Sequence, residues 1–364
     1  MPQPARGATY EDLDTPCLVV DLDALERNIR TVASFCRSNG VNWRPHAKSY
    51  KSSAICRMAV DAGAIGVTCA KLGEAEVMAD AGVRDLLIAN SLVGPQKLGR
   101  LVELCRRADP IAVVDHVDHV AALTDAAAAG GVTLRTMLEV DIGMKRCGVA
   151  PGEAAVSLAR QIVASRCLRF AGIMGWEGHL VTADPAEKRD RIAAAVAQLA
   201  ETRSQLERAG LPCPIVSAGG TGSFQITATL GIASEVQVGG AIFMDLFYRN
   251  KCHVEGLDYA LFIVATVTSR PAPDRAVIDA GRKTMNQELH VPEVRGRSDL
   301  AVQSLSAEHG VLTVTQPPGP PIGERIEIIP GYGDFTTVLH DHIHGFRRGR
   351  LETTWPLDAR GRLS

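Results

Sequence analysis

Four side chains that can carry positive charge lie close together in the segment RPHAKSYK, which follows a short apolar run. They are Arg44, His46, Lys48 and Lys51. A lysine that is crowded by other cations, or buried, has a lowered pKa, and its neutral amine can then attack a carbonyl group and form a Schiff base. Lys48 and Lys51 are both candidates for such a nucleophile. A solvated loop at the start of a basic helix is the alternative interpretation.

Glycine-rich turns later in the chain offer a second kind of chemistry. The segment SAGGTGS contains Gly220, Thr221 and Gly222, and the pair Gly239–Gly240 follows it. Exposed backbone N–H groups in such turns can hold a phosphate group. Because glycine turns are common, they indicate a phosphate site only if the fold brings them close to the basic segment.

The elements that would position these residues alternate between short apolar runs and helical patterns. The first helical pattern starts near Asp21 or Asp23. Asp23 with Glu26 fits a capping box, and Gly40 fits the end of the helix. Repeated strand–helix units over about 220 residues predict a (β/α)8 TIM barrel rather than a doubly wound sheet. After the opening run CLVVD, the eight runs that read as strands are VNWRPHA, AIGVTCA, DLLIAN, IAVVD, TLRTMLEVD, LRFAGIMGWEG, CPIVSAGG and EVQVGGA.

The pattern of the sequence changes near residue 260. Long helical patterns stop, and β-like segments follow that are separated by proline and glycine turns such as PAPD and TQPPGPPIGE. We therefore expect a barrel over residues 22–260 and a C-terminal β domain over residues 261–364. A strand from residues 1–21 is expected to join the β domain.

In a barrel of this kind, catalytic groups lie on the loops that follow the strands. One reactive lysine, one phosphate cradle and one barrel indicate pyridoxal 5′-phosphate (PLP) as the cofactor. The polar residues of these loops, in chain order, are His46, Lys48, Cys69, Lys71, Asn90, Asp115, His116, Asp141, Arg146, Trp176, Glu177 and His179, before the two glycine turns.

Composition argues against several classes of function. Lys and Arg number 39 against 41 Asp and Glu, a formal net charge of −2, so no nucleic-acid surface is expected. No apolar run reaches the roughly 20 residues of a membrane helix, and the N-terminal segment lacks the apolar stretch of a signal peptide. The nine cysteines are dispersed, which indicates reduced thiols in a cytoplasmic protein.

The motifs resemble a known family. The resemblance rests on TPCLVVDLDALERNI, RPHAK, DIGMKRCG, SAGGTGS and VGGAIFMD, and on VIDAGRKT, SAEHG and LHDH in the C-terminal part. Together they resemble the D-threonine aldolase and D-serine dehydratase family of fold-type III (alanine-racemase-like) PLP enzymes. The resemblance covers nearly the whole chain and keeps the order of the motifs. It implies a homodimer whose active site is completed by the β domain of the partner.

The resemblance also implies roles for individual residues. Lys48 is the Schiff-base lysine, His46 lies near the cofactor ring, and Arg146 contacts the phenolic oxygen. Gln237 stands where racemases of this fold carry an arginine that faces the pyridine nitrogen. The rest of the implied cofactor-binding set is Trp176, Gly220, Thr221, Gly222, Gly239 and Gly240, and the candidate catalytic bases are Glu177, His179 and Tyr332.

The metal-binding pair of the family is altered in this chain. Members bind a divalent metal through a histidine followed two residues later by a cysteine or an aspartate. In PGYGDFTT, Asp334 keeps the second ligand, whereas Tyr332 replaces the histidine. A neutral phenol is a poor ligand because its pKa is about 10. A Mg²⁺ or Mn²⁺ ion at Asp334 would therefore need other ligands, such as Glu177, His179 or His340.

Several functions stay open on this scaffold. We expect retro-aldol cleavage of a D-β-hydroxy amino acid, such as D-threonine, to glycine and an aldehyde. A D-serine or D-hydroxyaspartate dehydratase is an alternative, but expulsion of the hydroxyl group favours a strong Lewis acid, which the loss of the histidine weakens. A racemase or epimerase could use Lys48 and Tyr332 of the partner subunit as its two bases. A non-catalytic PLP carrier is the alternative outside catalysis.

Overall fold

The structure, a computed structural model, describes residues 4–364 of the chain. Residues 1–3 of the predicted N-terminal segment lie outside the described residues. The chain begins its regular structure with strand β1 (Cys17–Asp21) and helix α1 (Leu22–Ser38). The strands form two sheets, one of eight strands and one of nine.

The eight-stranded sheet is a parallel barrel. Neighbouring strands pair in parallel around the ring, and a bridge between His46 and Thr68 closes it. The predicted (β/α)8 barrel is therefore confirmed, and the doubly wound alternative is wrong. Its strands are β2 (Asn42–Trp43), β3 (Val67–Cys69), β4 (Asp85–Ile88), β5 (Asp109–Val114), β6 (Leu134–Glu139), β7 (Leu168–Met174), β8 (Ile215–Ala218) and β9 (Glu235–Val236).

Helices surround the barrel and bury their apolar faces against it. Asp21, one of the two predicted starting points, caps the helix α1, and its side chain accepts the N–H of Ala24. The predicted capping box is wrong, because Asp23 and Glu26 instead form ion pairs with Arg347. The remaining barrel helices are α2 (Ser53–Asp61), α3 (Leu72–Asp80), α4 (Pro95–Cys105), α5 (Val117–Gly130), α6 (Glu153–Ala164), α7 (Pro185–Arg208) and α8 (Phe224–Thr227).

The nine-stranded sheet belongs to the C-terminal β domain and includes β1 from the start of the chain. Its other strands are β10 (Leu261–Ala272), β11 (Arg275–Ile278), β12 (Glu293–Val294), β13 (Leu300–Leu305), β14 (Gly310–Val314), β15 (Arg325–Ile329), β16 (His342–Arg347) and β17 (Arg350–Pro356). The strand β1 lies between β10, to which it is antiparallel, and β16, to which it is parallel. The predicted bounds of the two domains stay a prediction.

A short helix, α9 (Gly333–Thr337), links β15 to the last two strands and lies against the barrel. The hydroxyl of Thr337 donates to the carbonyl oxygen of Ser49 at 3.1 Å, so α9 is anchored on the turn that carries Lys48. None of the helices in residues 4–364 combines the length and apolar character that crossing a bilayer requires.

Candidate active site

The structure assigns different roles to the basic residues of RPHAKSYK. Arg44 is only 1% exposed and donates to Glu235 on β9 at 2.9 Å. Lys51 is also buried and forms an ion pair with Glu74. Both cations tie barrel segments together, whereas the side chain of Lys48 is 36% exposed and lines a central cavity. Lys48 is therefore the candidate nucleophile of the two lysines.

The cavity has a volume of about 490 Å³ and lies at the carboxyl ends of the barrel strands. The predicted site residues that line it are His46, Lys48, Arg146, Trp176, Gly220, Thr221, Gly222, Gln237, Gly239, Gly240 and Tyr332. Asn90, from the strand-end residues, lines it as well. Sequence reasoning missed Ser49, Glu139, Phe247, Tyr248 and Leu289. Of these, only Glu139 carried a signal, because it ends a predicted strand just before the Arg146 loop.

Positive charge is concentrated around Trp176. The ammonium nitrogen of Lys48 lies 5.7 Å from the centre of the indole ring, and the guanidinium of Arg146 lies 5.3 Å from it. Arg146 is also 3.8 Å from the carboxylate of Glu139. Two cations and an aromatic face thus converge where an electron-rich, anionic ring system would be held.

The ring of His46 supports the turn that carries Lys48. Its Nδ1 atom accepts the backbone N–H of Lys48 at 3.4 Å. Burial, reinforced by the positive charges of Lys48, Lys51 and Arg146, holds the pKa of His46 well below its ordinary value. His46 is therefore neutral at physiological pH and acts here as a hydrogen-bond acceptor.

The glycines of the two turns pack too closely against neighbouring groups to carry side chains. A Cβ atom on Gly239 would lie 2.3 Å from the carbonyl oxygen of His46, and one on Gly240 would lie 2.6 Å from the ring of Tyr248. Within residues 4–364, the N–H groups of Thr221, Gly222, Gly239 and Gly240 donate to no protein acceptor. Four unpaired donors that face one cavity fit an anionic group such as a phosphate.

Glu177 and His179 do not lie where the sequence predicted a catalytic base. Glu177 is fully buried behind the glycine turn, where its carboxylate accepts the hydroxyl of Thr227 and the N–H of Gly219. His179 is exposed, and its ring lies against Gly143 in the loop between β6 and α6. Neither side chain lines the cavity. Glu177 orients the turn, and neither residue is placed to exchange protons with a substrate beside Lys48.

Tyr332 lines the cavity from the β domain of the same chain, and Asp334 lies beside it. The hydroxyl of Tyr332 donates to Oδ2 of Asp334 at 3.0 Å, and the same oxygen is 3.4 Å from the ammonium of Lys48. The expectation that the partner supplies Tyr332 is therefore wrong. The reason is that α9 rests directly on the Ala47–Ser49 turn, which brings its first residues beside Lys48.

The residues present at Tyr332 and Asp334 do not fit a divalent metal. No group of three or more His, Cys, Asp or Glu side chains converges on one position anywhere in residues 4–364. Burial and the charge of Asp334 raise the pKa of Tyr332, which keeps the phenol protonated and unsuited to metal binding. His340, a suggested additional ligand, has its Nε2 atom 2.8 Å from the carbonyl oxygen of Thr284. The predicted metal role of Asp334 therefore lacks partner ligands.

Comparisons with known proteins agree with the fold. Residues 20–246 match the family model "Alanine racemase, N-terminal domain", and residues 260–346 match "Putative serine dehydratase domain". The chain belongs to the D-threonine aldolase and D-serine dehydratase family of alanine-racemase-like enzymes. The family predicted from the motifs is thus confirmed.

Relatives in this family match along the full length of the chain. The chain is 37% identical to 3-hydroxy-D-aspartate aldolase of Paracoccus denitrificans (strain Pd 1222), over 98% of this chain and 94% of the relative. It is 34% identical to D-threonine aldolase of Arthrobacter sp., over 99% and 97% of the two chains. The crystal structure of D-threonine aldolase from Filomicrobium marinum superposes with a TM-score of 0.96 at 38% identity, and the match covers 100% of both chains.

Proposed function

We propose that this protein is a PLP-dependent carbon–carbon lyase that cleaves a D-β-hydroxy amino acid to glycine and an aldehyde. The observation that carries the proposal is the position of Lys48, whose amine enters a cavity that also contains four unpaired backbone N–H groups. Full-length relatives named as D-threonine aldolase and 3-hydroxy-D-aspartate aldolase support the reaction class.

The lining residues would hold PLP by its two ends. Lys48 would bind the carbonyl carbon, and Arg146 would lie beside the phenolic oxygen. The N–H groups of the glycine turns would bind the phosphate. When bound, PLP withdraws electrons from Cα of the amino acid and so stabilises the charge that remains when the Cα–Cβ bond breaks.

The pyridine nitrogen would meet a neutral group. The side-chain amide of Gln237 lines the cavity and donates to the hydroxyl of Ser217 at 3.0 Å. Because neither Gln237 nor Ser217 carries a charge, we propose that this end of the ring is not paired with a fixed cation. The electron demand at Cα then depends more heavily on Arg146 at the other end.

Two other reactions are alternatives. A relative from Delftia sp. (strain HT23), 31% identical, is named D-threo-3-hydroxyaspartate dehydratase, which favours water loss as a candidate. A racemase is favoured by the contacts of both Lys48 and Tyr332 with one oxygen of Asp334. We prefer the aldolase because its hydroxyl group stays with the aldehyde and needs only a proton acceptor.

The experiment that tests the proposal is a product assay on the purified holoenzyme. We expect D-threonine and D-phenylserine to yield glycine plus the aldehyde. Keto acid plus ammonia would indicate the dehydratase, and the L-isomer would indicate the racemase.

Lys48→Ala should abolish activity, and borohydride reduction should no longer attach cofactor mass to the chain, because the only proposed imine-forming amine is gone. The exposed Lys251 provides a matched control, and Lys251→Ala should keep both properties. Retention of activity in Lys48→Ala would contradict the proposal.

The remaining expectations stay proposals. We propose a cytoplasmic homodimer in which residues 22–260 form the barrel and residues 261–364, with the N-terminal strand from residues 1–21, form the β domain. Size-exclusion chromatography with light scattering tests the dimer, and limited proteolysis near residue 260 tests the domain bounds.

A further inference from the structure

Tyr332 stands where the family resemblance predicts a histidine, and it is closely packed together with Asp334. Tyr332 is 8% exposed and Asp334 is 7% exposed. The phenol ring of Tyr332 packs edge-on against three aromatic rings, at centroid distances of 5.3 Å from Phe247, 5.7 Å from Tyr248 and 4.9 Å from Phe335. Its hydroxyl position is therefore fixed by packing as well as by Asp334.

The buried side chain of Asp245 holds the backbone in this arrangement. Oδ2 of Asp245 accepts the N–H of Gly333 at 2.8 Å, and its Oδ1 accepts the N–H of Tyr248 at 2.9 Å. One side chain thus ties the segment of Tyr332 to the segment of Tyr248, whose hydroxyl lies 3.4 Å from that of Tyr332. This framework holds two hydroxyl groups next to each other, and one of them donates to the oxygen of Asp334 that also contacts Lys48.

The ligand positions that a metal would need are taken by hydrogen-bond donors. Oδ2 of Asp334 faces the hydroxyl of Tyr332 and the ammonium of Lys48. A divalent cation at the same oxygen would lie next to a protonated phenol and would meet no histidine. The pair is built to move a proton rather than to hold a cation.

We propose that Tyr332 and Asp334 replace a divalent metal at the β-oxygen of the substrate, so that cleavage by this chain is independent of divalent metal. This inference rests on the proposed aldolase function and specifies how its proton is removed. Tyr332 is then a catalytic residue that touches the substrate, and Asp334 accepts the proton that Tyr332 gives up.

The step balances within the described residues. The β-hydroxyl gives its proton to Oη of Tyr332 while the phenolic proton moves to Oδ2 of Asp334, 3.0 Å away. The O–H electron pair becomes the second bond of the aldehyde, the Cα–Cβ bond breaks, and its electron pair stays on Cα. Lys48 gives one proton to Cα to form glycine and takes the proton held by Asp334, whose Oδ2 is 3.4 Å away, so all three side chains return to their starting protonation states. No oxidant, reductant or metal is consumed.

The first arm of the test uses the wild-type holoenzyme and Mn²⁺. After chelation and gel filtration, we expect glycine formation from D-threonine or D-phenylserine to change by less than about twofold, with or without added Mn²⁺. The free Mn²⁺ signal in electron paramagnetic resonance should show no binding tighter than about 1 mM. Activity that disappears on chelation and returns with Mn²⁺ would overturn the inference.

The second arm uses variants of one position. Tyr332→Phe removes the hydroxyl alone and should lower kcat by about 10²- to 10⁴-fold with PLP affinity unchanged. Tyr332→His restores a histidine two residues before Asp334, and it should bind Mn²⁺ with a Kd below about 0.1 mM and respond to added metal. Tyr259→Phe, outside the cavity, is the matched control and should behave as wild type. Full activity in Tyr332→Phe would overturn the inference even if Tyr332→His fails to fold.

The outcomes separate the two proposals. Aldehyde production that requires Mn²⁺ leaves the aldolase standing and overturns only the metal-free proton route. The absence of aldehyde under every metal condition refutes the aldolase, and with it the inference.

Discussion

At the scale of single residues, Gly239 has no room for a side chain because the backbone of His46 lies against it. A Cβ atom there would lie 2.3 Å from the carbonyl oxygen of His46 and 3.1 Å from its carbonyl carbon. That backbone leads directly into the turn that carries Lys48, so it cannot move without displacing Lys48.

We therefore expect Gly239→Ala to weaken PLP binding by at least about tenfold and to lower the free energy of unfolding by about 1–3 kcal/mol. Absorbance titration of the apoprotein and chemical denaturation measure the two effects. Gly99→Ala is the matched control, because nothing lies within 4 Å of the new Cβ in the middle of α4. It should leave PLP binding unchanged and stabilise the helix by up to about 1 kcal/mol. Equal behaviour of the two variants would show that the cradle tolerates a methyl group.

Sequence reasoning reached some of these residues and not others for a physical reason. Lys48 and the glycine turns belong to short contiguous motifs, so they were predictable. Lys51 could not be separated from Lys48 by its neighbours in sequence alone, because what neutralises Lys51 is Glu74 on another element. Tyr248 was missed because the π-helical turn that positions it, Phe247–Lys251, has no periodic signature.

At the level of elements, the glycine turn after β8 depends on Glu177. Its carboxylate accepts two donors, the hydroxyl of Thr227 on α8 and the N–H of Gly219 at 3.4 Å. Glu177→Ala leaves both donors buried without an acceptor, which should cost about 1–3 kcal/mol for each group in the free energy of unfolding. PLP affinity should fall because the turn loosens.

A kinetic measurement distinguishes this structural role from a catalytic one. At saturating PLP, the kcat of Glu177→Ala should stay within about tenfold of wild type, whereas loss of a general base costs about 10²- to 10⁴-fold. The exposed Glu187 on α7 offers the control variant Glu187→Ala. A lowered kcat with an unchanged free energy of unfolding would show that Glu177 acts as a catalytic base.

The strand β16 contains a histidine that makes stability depend on pH. Burial, reinforced by the charges of His342 and His340, lowers the pKa of His344 to about 4 from its ordinary 6.5. Between these values the unfolded chain binds a proton that the folded chain does not. The contribution of His344 to stability is therefore fully present above pH 6.5 and is lost as the pH falls towards 4.

We expect His344→Asn to reduce the slope of unfolding free energy against pH in this window and to leave the slope above it unchanged. Asparagine keeps a side-chain polar group for the contact that Nδ1 of His344 makes with the hydroxyl of Thr354 at 2.9 Å. Urea denaturation at a series of pH values measures both slopes. Parallel curves for the two proteins would show that His344 titrates normally in the fold.

Elements were more predictable than the contacts between them. The alternation of apolar runs with helical periods was sufficient to place the barrel strands and the long helices, because both patterns are local. The Asp23–Glu26 capping box was misassigned because Arg347, more than three hundred residues away, pairs with both side chains. An ion pair between residues so far apart produces no recognisable pattern in the local sequence.

At the scale of the whole molecule, the two sheets build one cavity within one chain. Lys48 comes from the barrel, and Tyr332 comes from the β domain of the same polypeptide. This arrangement was not predictable from the sequence, because chain order does not say whether a second domain folds onto its own barrel or onto that of a neighbour.

Mixing two inactive variants tests whether Lys48 and Tyr332 of one cavity come from the same chain. Lys48→Ala and Tyr332→Phe chains, unfolded together and refolded to allow mixed oligomers, should recover no activity, because every cavity keeps one defect. If a partner supplied Tyr332, about a quarter of the sites in mixed dimers and homodimers combined would be intact. Wild type mixed with Lys48→Ala is the control for refolding yield.

The place of β1 between β10 and β16 has a consequence for biosynthesis. Cys17–Asp21 leaves the ribosome early, but its neighbours Leu261–Ala272 and His342–Arg347 emerge near the end. At about 5–20 residues per second, the strand waits roughly 10 to 50 seconds for its first partner. During that time the nascent barrel carries an apolar, unpaired segment, and a trigger-factor-type chaperone that covers it should raise the yield of folded protein.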